Sequence, residues 1–217
     1  MERIHSQREG FRQLAQRVLT WITCATRPLS ATELQHALAV ELGERSLDRD
    51  NIPSIGQLAS VCSGLVTVDR ESNVVRLIHY TTQEYFNRTR GLWFPSAEEE
   101  LCTICVTYLS FDAFSSGFSE SYTQYKERLK PYPLYEYSAR SWATHVHNTS
   151  CHSSSALSIE TSKPILDFLE GEPPTLRQPC KSFPWTLEIL SGLLQARHRG
   201  RQRVYILLRA KLSTTRS

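Results

Sequence analysis

Apolar positions recur at helical spacing early in the chain. Phe11, Leu14, Ala15, Val18, Leu19 and Ile22 share one face, which predicts an amphipathic helix over about residues 7–25. Arg27-Pro28 ends that pattern, because proline lacks the N–H a helix needs and crowds the preceding turn. Ser30 and Glu33 then make an S-x-x-E capping box, with Leu29 and Leu34 at the hydrophobic-staple positions. Leu34, Ala37, Leu38 and Val40 form the buried stripe of this second helix, and Gly43 is its predicted stop. Beyond the charged loop ERSLDRDNIPS, a third helix is predicted over about 53–63, through Ile55, Leu58, Ala59 and Cys62, with Gly64 ending it.

The period then changes from helical to alternating. Leu65–Asp69 and Val74–His79 read as strands joined by the turn residues Arg70–Asn73. Thr81 and Glu84 form a T-x-x-E box, flanked by Tyr80 and Tyr85 at staple positions, so another helix is expected directly after His79. Helix, short extended RPL, helix, helix, hairpin, helix is the layout of a winged helix.

From Gly91 to Pro95 the pattern breaks. Ser96 and Glu99 make a third capping box, and Leu101, Ile104, Cys105, Tyr108 and Leu109 carry a helix to about 110. FDAFSSGFSES reads as a loop, followed by a helix near 120–130, a break at Pro131 and Pro133, and a helix over about 134–147 with the stripe Tyr135, Ala139, Trp142, Val146. NTSCHSSSALS (148–158) reads as a polar linker, 163–170 as a short helix, and 170–184 as a loose, breaker-rich stretch before two weakly helical segments at about 185–196 and 202–212. The expected fold class is mainly α: an α+β winged helix with one β-hairpin at about 7–94, then an all-α helical unit at about 95–170, then a basic tail at 171–217.

Composition adds an asymmetry to this picture. Residues 1–176 hold 16 Lys+Arg against 21 Asp+Glu, a net of −5, whereas 177–217 hold nine basic residues and one acidic, Glu188, a net of +8. The acidic main body gives no electrostatic reason to bind nucleic acid. No apolar run has the length to span a bilayer, and MERIHSQREG lacks the apolar core of a secretory signal. The six cysteines have no framework-like spacing, so reduced thiols in a cytoplasmic protein are expected.

Five blocks carry a family resemblance: RPLSATELQHALAVE, LASVCSGLVTVD, VVRLIHYTTQEYF, AEEELCTICVTYLSF and YPLYEYSARSWATHVH. In this order they resemble the winged-helix domain of fungal NACHT proteins of the STAND class, a module also catalogued as the GPI inositol-deacylase winged helix domain. In that family it follows a NACHT nucleoside triphosphatase and often precedes a helical segment and ankyrin repeats. The resemblance covers roughly the first two thirds of the chain. It implies a non-enzymatic signal-transduction module, in non-self recognition or programmed cell death, that packs on a NACHT domain in cis or trans. It also implies a fragment-like chain, the middle of a larger architecture, since no G-x-x-x-x-G-K-[ST], no ankyrin T-P-L-H and no G-x-S-x-G is present. No cofactor is expected for the chain alone.

The resemblance singles out one site residue. Related switch proteins carry a Met-His-Asp motif after the wing, whose histidine contacts the β-phosphate of ADP. Leu77-Ile78-His79-Tyr80 is similar in placement, with Tyr80 where the motif has Asp. A helix N-terminus and an imidazole N–H are both suited to a phosphate. The competing reading is a packed histidine at a strand end. Cys102-x-x-Cys105 reads as part of a helix stripe rather than a redox or zinc pair, and His145, His147, Cys151 and His152 as a solvated helix end rather than a metal site. No catalytic residue is expected. The alternative function is a DNA-binding winged helix. The third helix, PSIGQLASVCSG, argues against it, because it has no Lys or Arg to read bases or hold phosphates. The tail segment ARHRGRQRVYILLRAK could touch nucleic acid or an anionic surface.

Overall fold

The computed structural model describes residues 2–114, 122–152, 164, 165, 167 and 168. A one-turn α1 (Glu2–His5) precedes α2 (Glu9–Cys24), whose Ala15, Val18, Leu19 and Trp21 are buried. The chain leaves α2 with an extended backbone at Ala25, bends over residues 25–27, and reaches a bridge to the wing at Ser30. The first capping box forms as its sequence demands. Ser30 N–H donates to Glu33 Oε2 at 2.8 Å and Glu33 N–H to Ser30 Oγ at 3.2 Å, opening α3 (Ala31–Ala39). Leu29 and Leu34 are both buried at its start. Arg27 clamps the same carboxylate at 2.6 and 3.1 Å. Burial would raise the Glu33 carboxyl, but the Arg27 guanidinium and the Ser30 N–H outweigh it and hold it below the ordinary value.

α3 stops at Ala39, earlier than the expected stop at Gly43, which adopts φ +92° in the following loop. Val40–Leu47 belongs to a different compact unit from α3. α4 (Ile55–Val61) is capped by Ser54, whose Oγ accepts from Gln57 N–H at 3.2 Å. Gln7 ties down its other end, donating to Val61 O and Ser63 Oγ, both at 2.9 Å. Ser63 and Gly64, at φ +51° and +80°, then turn the chain into the wing.

The wing is shorter than its alternating pattern: β1 (Val66–Val68) pairs antiparallel with β2 (Val75–Leu77), with Val66 opposite Leu77 and Val68 opposite Val75. The strand ends are used otherwise. The Asp69 carboxylate accepts from Glu71 and Ser72 N–H and from Arg76 at 2.8 Å, holding the turn. Asn73 takes φ +53°, a left-handed conformation asparagine tolerates. Leu29 O accepts from Val75 N–H and Asn73 O from Ala31 N–H, so the RPL segment adds a one-bridge third strand.

The helix after the wing departs from the predicted start. α5 (Tyr80–Arg88) has His79 as its N-cap, so Thr81 already lies in the first turn, where its hydroxyl is not at the capping position. Ile78 N–H still pairs with Leu65 O, which leaves His79 as the last extended residue. The Tyr80–Tyr85 staple fails with it: Tyr80 is 76% exposed. Tyr85 instead accepts from Trp93 Nε1 at 3.1 Å. The stretch expected as a break contains a one-turn α6 (Arg90–Trp93) before α7 (Ala97–Leu109).

The described residues of 1–39 with 48–97 form one compact unit, and 40–47 with the described residues from Glu98 onward form another. In the second, residues 101–109 of α7 are buried throughout. Arg45 O accepts from Asp112 N–H, fixing the 40–47 segment. Phe111, Phe114 and Tyr108 cluster with Tyr132 and Tyr135, with Phe114 lying 4.8 Å from Tyr135 and 5.0 Å from Tyr132 between ring centroids. α8 (Tyr122–Leu129) and α9 (Tyr135–His152) complete it. α9 runs into the predicted 148–158 linker because Thr149 is still buried and its hydroxyl bonds to His145 O. Phe168, helical like residues 164, 165 and 167, packs 5.2 Å from Trp142 between ring centroids. The expectations for 171–217 lie outside the described residues.

Candidate functional site

His79 closes the wing and opens α5. Its backbone is extended, at φ −113° and ψ 132°, and its carbonyl accepts from Thr82 N–H at 3.0 Å. Its ring is exposed and makes no capping hydrogen bond. The reading of a histidine packed against the neighbouring helix is therefore set aside by geometry. An exposed imidazole beside the positive end of α5 is left facing solvent. These groups do not enclose a nucleotide, and the sequence has no phosphate-cradling loop to add. Ile78 and Tyr80, on either side, are exposed at 45% and 76%.

The helix that would enter a DNA groove is α4. Its exposed side chains are Ile55, Gln57 and Ser60, with no cation among them. In the wing, Arg76 is neutralised by Asp69, whose carboxyl is held below its ordinary value mainly by the Ser72 N–H, then by Glu71 N–H and Arg76.

A cleft of about 360 Å³ lies between the end of α2, the 25–29 segment, β2 and α5. Trp21, Leu29 and Leu34 supply apolar walls, and Thr23, Gln83 and Asn87 the polar ones. Sequence reasoning missed this cleft, since its walls come from elements far apart in the chain.

The cysteine pair is inert. Cys102 and Cys105 are fully buried, and burial pushes the Cys105 thiol up to about 12 and Cys102 well above its ordinary range. Among the described residues no cluster of three or more His, Cys, Asp or Glu is gathered for a metal. The HVHNTSCH stretch is not a solvated helix end, however. His147 is exposed, but His145 is 0% exposed. His145 Nδ1 lies 2.6 Å from Glu98 Oε2 and Nε2 lies 2.9 Å from Tyr137 OH. Asn148 Nδ2 donates to the other Glu98 oxygen at 3.3 Å. Glu98, in the first turn of α7, is thus a buried partner. The relay is closed from solvent and offers no substrate access, so it acts within the fold. The signal was present in the helix period: Ser138, Ser141, His145 and Thr149 share the buried side of α9 with Trp142.

Three helices, a short extended strand, a β-hairpin and a following helix define the first unit as a winged helix. Residues 1–92 match the family model for the GPI inositol-deacylase winged helix domain, and this segment is a winged-helix domain of that type. The chain is also similar to the azaphilone pigments biosynthesis cluster protein L of Monascus ruber, at 27% identity over 150 residues. The match takes in 61% of this chain and 31% of that relative, so the chain spans about a third of the curated relative's length. No solved structure matches the chain. No helix among the described residues is long and apolar enough to cross a membrane.

Proposed function

We propose that this chain is a non-enzymatic regulatory and protein-interaction module, the winged-helix arm of a NACHT-type STAND signalling protein. The observation that carries this reading is the chemistry of the two surfaces a winged helix uses. The groove-reading helix α4 presents Ile55, Gln57 and Ser60 and no cation, whereas the wing-to-α5 junction presents Ile78, His79 and Tyr80. The first is unsuited to nucleic acid. The second combines apolar side chains with a phosphate-competent imidazole and helix end, which suits a nucleotide-loaded protein partner.

In such a parent the arm acts by population shift. It packs on the NACHT domain in its ADP state, His79 touches the phosphate across the interface, and activation releases it. Replacing His79 with Ala in a parent that contains the NACHT domain is the test. Faster ADP loss with an unchanged unfolding midpoint is expected. Unchanged ADP retention sinks the phosphate role. On the chain itself, salt-dependent binding of duplex DNA would overturn the interaction reading in favour of a DNA-binding winged helix.

A further inference from the structure

We propose that the corner where α5 meets α6 is a membrane-docking surface, which takes the headgroup layer of an anionic lipid bilayer. The chain turns there within a few residues. Thr89 closes α5 and opens α6, and its Oγ1 donates to Tyr85 O at 2.6 Å. Leu92 stands out from this turn, 74% exposed, with exposed Gly91 and Pro95 beside it. A Cβ placed on Gly91 would meet nothing within 4 Å, so the space around the corner is open. Beside Leu92 runs an aromatic row. Trp93 Nε1 donates to Tyr85 OH at 3.1 Å, and the His5 ring lies 5.7 Å from Trp93 between centroids. Because the indole donor is satisfied inside the row, Trp93 can meet acyl chains without losing a hydrogen bond. Rings of this kind, half-buried and polar at one end, favour the boundary between headgroups and acyl chains.

Charge selects the occupant. Three arginines elsewhere on this unit are neutralised, Arg12 by Glu9, Arg27 by Glu33 and Arg76 by Asp69. Arg3, Arg8 and Arg88 are exposed and have no ion-pair partner among the described residues. All three lie close to the aromatic row in sequence: Arg3 and Arg8 are two and three residues from His5, and Arg88 is three from Tyr85. Glu84, one turn before Arg88 on α5, makes no ion pair with it. Unpaired cations around a protruding leucine and a tryptophan complement a surface that is anionic outside and apolar beneath, which is a bilayer containing acidic lipids. Such a bilayer takes in a protruding side chain without a pocket shaped to receive it. No helix among the described residues is long and apolar enough to cross a membrane, so this contact lies on its surface. His79 lies at the other end of α5, and the test below is independent of the ADP experiment above.

The basic 177–217 segment also favours anionic vesicles, so the readout must be local to the corner. Trp21 and Trp142 are buried, and Trp185→Phe in the full chain leaves Trp93 as the tryptophan open to lipid. This protein is mixed with vesicles of acyl-brominated phosphatidylcholine, either alone or with roughly one quarter phosphatidylserine. Bromine quenches tryptophan only on contact. Strong quenching of Trp93 is expected with the anionic vesicles and little with the neutral ones. Leu92→Ser should lower the partition coefficient read from that quenching about tenfold, and Arg88→Gln about fivefold, both with unchanged unfolding midpoints. Vesicle co-sedimentation without Trp93 quenching means that the basic segment alone binds, and the proposal fails. Equal quenching by neutral vesicles, or quenching untouched by both substitutions, also overturns it. A Trp93 emission shift with soluble poly-glutamate and none with vesicles assigns the corner to an acidic polypeptide instead and overturns the membrane reading.

Discussion

Replacing His145 with alanine is expected to be among the most damaging single changes in the second unit. His145 is completely buried and bridges Glu98, far away in sequence on α7, to Tyr137 on its own helix α9. The Glu98 side chain is only 9% exposed. Without the imidazole, its carboxyl loses its 2.6 Å partner and faces the hole left by the missing ring, while the 3.3 Å contact from Asn148 stays. Losing this buried hydrogen-bond partner together with the volume of the ring costs about 3–5 kcal/mol, because a buried polar group loses its partner and a cavity opens beside it. Domains of this size have about 5–15 kcal/mol of stability in total, so the variant is expected to lie near the edge of folding. Glu98→Ala is milder, about 1–3 kcal/mol, since it removes a smaller side chain and leaves one ring nitrogen of His145 without this partner. The double variant should cost less than the two singles together, with a coupling of about 1.5–3 kcal/mol. Urea unfolding of the full chain, read by hydrogen exchange at α7 and α9 amides, measures all three. A His145→Ala cost below about 1 kcal/mol, or a coupling near zero, refutes the assignment of this relay as the clamp between α7 and α9.

Four further outcomes are expected. Ser30→Ala should destabilise the winged-helix unit by about 1 kcal/mol, the usual cost of losing an N-cap, as read by the chemical unfolding midpoint. Because Glu33 titrates below its ordinary value in the fold, its contribution should be present above that ordinary value and fade as pH falls through the lower folded one. Glu33→Gln should flatten that part of the acid-stability profile, and an unchanged profile would contradict the assignment. Asn73→Ala should cost about 1–2 kcal/mol and Asn73→Gly little, since only the left-handed backbone at φ +53° is at stake; equal costs would point to a side-chain role instead. Cys102 and Cys105 should react with a thiol reagent only on the timescale of unfolding, owing to burial and raised thiol pKa, and rapid labelling of the native chain would show that α7 is not packed as described.

Local chemistry was legible wherever the partners lie within a few residues. The Ser30–Glu33 box, the Ser54 start of α4 and the Asn73 turn all depend on contacts within one turn of chain, and sequence placed or bracketed each of them. The Thr81–Glu84 box shows the limit. The motif is intact, yet the last strand bond, from Ile78 to Leu65, sets the helix start at His79 and strands Thr81 inside the first turn. A long-range hydrogen bond overrode a local signal. The α9 helix shows the same competition in reverse, since burial of Thr149 carries the helix past residues that read as linker.

The functional features divide along the same line. Hydrophobic period, capping chemistry and the switch to alternation determined a winged helix followed by helices, because each signal is carried by residues three or four apart, or by neighbours across a short turn. They also placed His79 at the junction of wing and helix. Only the tertiary structure decided that His79 is exposed while His145 is sealed in a relay with Glu98 and Tyr137, although the two histidines read alike as letters. It alone decided that Leu77 comes to line one cleft with Gln83 and Asn87. Burial and hydrogen-bond completion depend on what comes from 50 residues away, and no periodicity along the chain carries that information.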